Sequence, residues 1–278
     1  NNDNNTSNTV FGKSAFNAGS DNSSDFNTVF GELVMGTGTV NGADNNSGFG
    51  YKALQGLTSA NNNTAVGFRA GTALTTGAHN TFVGAEAGDD MVEGSYNIAI
   101  GSDALGGAKD GTADSSQFNI FMGVNSGNGA WVTAVSQYNI GIGHYTLDGA
   151  MNGAINNTAV GHQALSAITT GDDNTAVGYQ AMLNATTGND NVAMGKLAIG
   201  LGVLTGANNI AIGEGSGFDL TAGGYNILLG LRSGANITTA NKNIFIGQDV
   251  GLAVTVTNSA ESDGTVGIGH DALKALTS

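Results

Sequence analysis

Five residues recur along this chain in the order Asn, β-branched or Ser, variable, large apolar, Gly, as in Asn174-Thr175-Ala176-Val177-Gly178. The pattern closes 15 times between Gly12 and Gly269, with Thr265 standing for Asn in the last copy. Successive motif glycines lie mostly 17 or 18 residues apart, and 19–22 where residues are inserted. A period near 20 residues marks a repeat architecture. Numbering the motif positions 1 to 5, positions 2 and 4 share one face of an extended segment. Position 4 is apolar throughout, which predicts a coil interior built on Val66, Val83, Ile100, Ile142, Val160, Val177, Ile212 and Ile246.

Position 3 then points the other way, yet it is never polar. Ala65, Phe82, Phe121, Ala159, Ala176, Leu228 and Phe245 all occupy it. A strand apolar on both faces is buried on both. One coil has one interior, so these residues are expected at an interface between copies of the chain, a homo-oligomer axis.

The rest of each coil is also regular. The third residue after the motif Gly is small, and the fourth alternates between a large apolar residue (Leu54, Leu105, Leu165, Met182) and Gly (Gly71, Gly88, Gly234). The first two carry variable polar residues, as at Lys52, Glu86 and Lys196, and predict a solvent face. Return loops such as Thr169-Thr170-Gly171-Asp172-Asp173 hold turn chemistry. Each coil therefore reads as a strand, a tight Gly turn, a second short segment and a polar return. Stacked at about 4.8 Å, the coils form parallel sheets, with position 1 Asn side chains in a hydrogen-bond ladder. The 15 coils predict an all-β rod of roughly 70 Å at that spacing. Residues 1–7 read as a polar leader and 8–278 as a single repeat domain, with insertions near 106–118, 128–138 and 252–264.

Composition narrows the classes. The 278 residues contain 46 Gly, no Pro and no Cys, and the apolar fraction of 40% at regular spacing excludes collagen and disorder. A net charge of −14 opposes binding to nucleic acid or an anionic bilayer, and no apolar run is long enough to insert in a membrane. The absence of Cys leaves the redox compartment open and makes repetition, not disulfides, the source of stability. With neither an initial Met nor a signal peptide, the chain is expected to be a piece of something longer.

The segments Asn157-Thr-Ala-Val-Gly-His-Gln-Ala-Leu165, Asn174-Thr-Ala-Val-Gly-Tyr-Gln-Ala-Met182 and Asn209-Ile-Ala-Ile-Gly213 resemble the head repeats of YadA-type trimeric autotransporter adhesins. They also resemble the related repeats of phage tail fibres and other trimeric surface fibres. The resemblance covers Asn8 to about Leu273. It implies a left-handed parallel β-roll, a β-solenoid, assembled as a homotrimer on a cell or virion surface, with adhesion the usual role. Coils of 17–22 residues are longer than those of adhesin heads and lean towards the fibre variants, and no heptad stalk or membrane anchor is present in the sequence.

Candidate chemistry is sparse. His144 and His162 follow motif glycines in adjacent coils and read either as a metal pair or as two surface residues; two imidazoles without a third ligand make a poor site. His270 also follows a motif Gly, and His79 lies in a turn. Asp89-Asp90 and Asp172-Asp173 lack the spacing of a Ca²⁺ loop. Gly213-Glu-Gly-Ser-Gly217 is a coil turn without the Lys of a phosphate loop. No enzyme, cofactor or metal is expected. The paired insertions predict projecting loops that bring Trp131, Tyr138, Lys109 and Asp110 together as a ligand patch, unless Trp131 folds back over a coil edge. The expected function is a multivalent adhesive or receptor-binding fibre segment whose partner is a host-surface glycan or protein. The alternative is a structural spacer or a filament subunit stacking end to end, and ice binding by a Thr array is weakened by the Ile residues at position 2.

Overall fold

The structure is a computed structural model, and it describes residues 7–16, 24–37, 39–107, 115–131, 134–252 and 263–274. The backbone forms two compact units, Asn1–Asn139 and Ile140–Ser278. Both are parallel β-solenoids, and no α-helix occurs among the described residues. The first unit holds β1 (Thr9–Phe11), β2 (Thr28–Phe30), β3 (Ser47–Phe49), β4 (Thr64–Val66), β5 (Thr81–Val83), β6 (Ile98–Ile100) and β7 (Ile120–Met122). The second holds β8 (Ile140–Ile142), β9 (Thr158–Val160), β10 (Thr175–Val177), β11 (Val192–Met194), β12 (Ile210–Ile212), β13 (Ile227–Leu229), β14 (Ile244–Ile246) and β15 (Val266–Ile268).

Within each unit every strand pairs in parallel with its sequence neighbours, and motif position meets motif position. Thr64 pairs with Thr81, Ala65 with Phe82 and Val66 with Val83; in the second unit Ala176 pairs with Ala193. The expected Asn ladder sets this register. In coil after coil the motif Asn donates its backbone N–H and its Nδ2 to the Oδ1 of the preceding Asn, as Asn63 does to Asn46 at 2.9 and 3.1 Å. The same Nδ2 closes the coil on a return-loop carbonyl, Asn63 on Gly77 at 3.0 Å. Motif glycines sit where successive backbones almost touch. Gly67 has φ +143°, and a Cβ there would lie 2.2 Å from the Gly84 carbonyl oxygen.

The ladder also settles which face is inside, and it reverses the sequence expectation. The Asn side chains are buried, so position 1 points inward, and alternation carries position 3 inward with it. Ala65, Phe82, Phe121, Ala159, Ala176, Leu228 and Phe245 are therefore core residues, shielded entirely by their own chain, and not an interface between copies. Val66, Val83, Ile100, Ile142, Val160, Val177, Ile212 and Ile246 point outward. Val66 is 39% and Ile142 41% exposed, Ile212 and Ile246 are similarly exposed, and the other four are half-buried.

The interior is thin, and in many coils a large side chain at position 3 or at the fourth residue after Gly is matched by a small one at the other. Ala159 and Ala176 face Leu165 and Met182, whereas Phe82 is flanked by Gly71 and Gly88. A Cβ on either glycine would come within 2.9 Å or less of the Phe82 ring. A third inner column runs along the return loops through Leu57, Leu74, Met91, Met151, Ile168, Leu220 and Ile237.

Candidate interaction surface

Trp131 belongs to that return-loop column. It follows its motif Gly by eight residues, as Met151 does, and is fully buried with its ring edge-on to Phe121 at 5.8 Å. The projecting Trp contact expected there is corrected: the Trp131 ring of this insertion fills the core. Lys109 and Asp110 lie outside the described residues. Of the two described residues of the expected patch, Tyr138 presents its side chain to solvent, with 51% of its surface exposed.

Tyr138 is one of a stack that sequence reading missed. The residue just before the motif Asn forms a leading column, exposed and held at φ near +60° where the chain turns into the strand. Asn tolerates that conformation, but a bulky ring there is a backbone outlier. His79, Tyr96, Phe118 and Tyr138 nevertheless fill it in successive coils. Their rings stack at 4.7, 5.0 and 5.1 Å with interplanar angles of 6°, 12° and 3°. Such pairs contribute about 0.5–1.5 kcal/mol each, comparable with the cost of the turn. Because each inner ring has both faces covered, the stack shows ring edges and Tyr hydroxyls to solvent. The signal was available in the fixed register of the residue preceding Asn.

The residue just after the motif Gly forms a trailing column. It carries a second pair of stacks, Tyr51 on Phe68 at 5.7 Å and, in the second unit, His162 on Tyr179 at 5.6 Å with Tyr145 edge-on to His162. Between the two columns run the outward residues of positions 2 and 4. In the first unit they include Phe11 stacked on Phe30 at 4.7 Å, and in the second Met194, Ile212 and Ile268. The result in each unit is a sheet face with an apolar position 4 stripe beside a position 2 column of Thr, Ser, Ile and Val, bordered by polar and aromatic columns.

Ionisable groups knit coils together. Lys13–Glu32, Arg69–Glu86, Lys196–Glu214 and Arg232–Asp249 each join a cation to an acid in the same column of the next coil. Asp89, 3.7 Å from Arg69, is pushed up to about 7 by burial and by the neighbouring Asp90 and Glu86. Burial likewise raises Asp148 to about 6. Asp249, His270 and Asp271 bring ligand atoms within 4.8 Å of one another. Arg232 and Lys274 hold the two carboxylates at 2.8 and 2.9 Å, tying the cluster into an ion-pair network. A groove of about 360 Å³ opens where Gly215 interrupts a column between Leu197 and Arg232, with Phe218, Leu231, Ala235 and Leu252 as apolar walls. The charges beside it, Glu214 and Arg232, are both engaged in the pairs above.

No protein-family model, characterised protein or solved structure matches the chain. The class defined by its own geometry is a parallel β-solenoid repeat protein with an apolar stripe on its outer sheet face.

Proposed function

We propose that this chain is an adhesive or receptor-binding segment of an extracellular surface fibre, built as a left-handed β-roll that trimerises through the outward face of its strands. One observation carries the reading: position 4 is apolar in every coil and faces out of the chain, exposed in ten coils and half-buried in the other five. A continuous apolar stripe on a single chain draws copies together without limit, whereas a closed cyclic assembly covers it. The number of copies and the hand follow from the resemblance of the repeats to YadA-type heads. Binding is multivalent and non-catalytic, with three equivalent outer surfaces raising avidity for one glycan or protein-bearing surface. The net charge of −14 favours a neutral or cationic partner.

Light scattering of the purified protein, followed by binding to glycan panels and cell surfaces, tests this. Three chains per particle and saturable surface binding are expected; a monomer removes the assembly and with it the proposed use of the outer face. Burial of Trp131 favours a second reading, a spacer or filament subunit, because it removes the most typical contact residue from the surface. Electron microscopy separates the two, since a filament subunit grows into long fibres.

A further inference from the structure

The ring stacks change columns from coil to coil in a way that one chain does not explain. In the coils of β3 and β4, Asn45 and Asn62 lead and the rings of Tyr51 and Phe68 trail. In the coils of β5, β6 and β7 the order inverts: His79, Tyr96 and Phe118 lead, and Ala85, Ser102 and Val124 trail. In the second unit the coils of β9 and β10 return to the first arrangement, with Asn156 and Asp173 leading and His162 and Tyr179 trailing. The next coil sets Asp190 against Lys196. The coil of β15 follows the same rule with Gly264 leading and His270 trailing, whereas β8 has rings at both Tyr138 and His144 and β13 pairs Tyr225 with Leu231. The coils of β1, β2, β12 and β14 pair Ser7 with Lys13, Phe26 with Glu32, Asn208 with Glu214 and Lys242 with Gln248.

Inside a coil the two columns are held apart by the strand. Four residues of extended backbone span about 13 Å, and the outward side chains of positions 2 and 4 stand between. A ring in the leading column therefore places no steric demand on the trailing residue of its own chain. All of these leading residues and most of the trailing ones are exposed, so the demand comes from outside.

An arrangement of copies supplies it. When three chains are related by rotation about an axis along the direction in which strands stack, and their sheet faces turn inward, their strands follow one another head to tail around the axis. The leading column of one copy then lies against the trailing column of the next, level with it. In the coils of β3 to β7, β9, β10 and β15 a ring then meets Ala, Ser, Val, Gly, Asn or Asp on the neighbouring copy. We infer that the leading and trailing columns interlock between neighbouring copies of this chain, coil for coil and without offset. This rests on the trimeric reading above and adds to it the register and the identity of the seam. It also accounts for rings kept at strained, positive-φ positions, because a ring there has a socket on the next copy.

The chain has no Cys, which makes the seam directly readable. Tyr96→Cys with Ser102→Cys, and in the second unit Asp173→Cys with Tyr179→Cys, place thiols at the same level in both columns. After treatment with copper–phenanthroline, most of the protein is expected as a reducible covalent trimer on a non-reducing gel. Tyr96→Cys with Phe68→Cys, offset by two coils or about 9.6 Å, is expected to stay uncrosslinked because a disulfide needs Cα atoms within about 7 Å. Circular dichroism matching the parent shows that each variant folds. Three chains by light scattering with no crosslink at either same-level pair overturns the interlock and leaves the trimer standing. A single chain by light scattering removes both.

Discussion

A buried Asn is costly unless each of its polar atoms is paired, and this fold pairs them along a line. Asn174 donates N–H and Nδ2 to Asn157 Oδ1 at 3.1 Å and Nδ2 to the Gly188 carbonyl at 2.7 Å. Its own Oδ1 accepts two bonds from Asn191 at 3.1 Å. Asn174→Ala strands the Gly188 carbonyl and both Asn191 donors, and is expected to destabilise the protein by about 3 kcal/mol in urea denaturation. A loss under about 1 kcal/mol would show that water replaces the ladder. Asp89 gives the residue scale its pH dependence. Its folded pKa of about 7 lies above the ordinary 3.8, so between those values the folded chain holds more protons than the unfolded one. Stability therefore falls as pH rises through that window and is best preserved below it. Asp89→Asn is expected to raise stability near neutral pH by on the order of 1 kcal/mol, after allowance for solvent screening, and to flatten that slope. Thermal melts across the window decide it.

Three-residue strands are too short to persist alone, so each coil depends on its neighbours. Adjacent residues of one strand separate the two roles of that dependence. Ala176 is buried within the chain, and Ala176→Asp is expected to unfold the coils around β10 by burying an unpaired charge. Val177 faces out, and Val177→Asp is expected to leave the chain folded but to weaken assembly of copies. Circular dichroism and light scattering on the two variants read the difference; equal unfolding in both would mean that the outer face is as necessary to the single chain as the inner one. Lys196, exposed and paired with Glu214, is expected to leave the melting temperature essentially unchanged as Lys196→Ala. Much of this element was legible in the sequence, because period, Asn ladder and Gly turns all require backbone at one fixed place. The faces were misread because size was taken as burial. Asn at position 1 shares its direction with position 3, and the small residues there are small because Leu165 or Met182 fills the space opposite. Trp131 was misread for a related reason: an unmatched aromatic in an inserted stretch looks like a contact, but counting from Gly123 puts it in step with Met151. The leading ring column was overlooked because it falls just outside the five-residue motif.

For the whole molecule, charge and repetition act together. Net −14 makes copies repel one another, so the proposed assembly is expected to tighten as added salt shortens the screening length from about 10 Å at 0.1 M. Binding of a cationic partner surface should weaken over the same titration. Sedimentation and surface binding measured on one salt series distinguish the two responses.

The Asn ladder also has a direction. Every amide in it reaches back, so Asn8 offers the acceptor that Asn27 uses, Asn27 the one Asn46 uses, and in the second unit Asn243 the one that Thr265 uses. A polypeptide leaves the ribosome N-terminus first, at about 5–20 residues per second. Within each unit, a newly made coil therefore meets carbonyl oxygens already fixed in space by the coil before it. It has no need of residues still untranslated to set its register. At that speed a coil of 17 residues arrives in about one to three seconds, ample time to lock before its successor appears. The side-chain stack is thus expected to act as a ratchet for growth during synthesis, adding one tooth per turn from the N-terminal end.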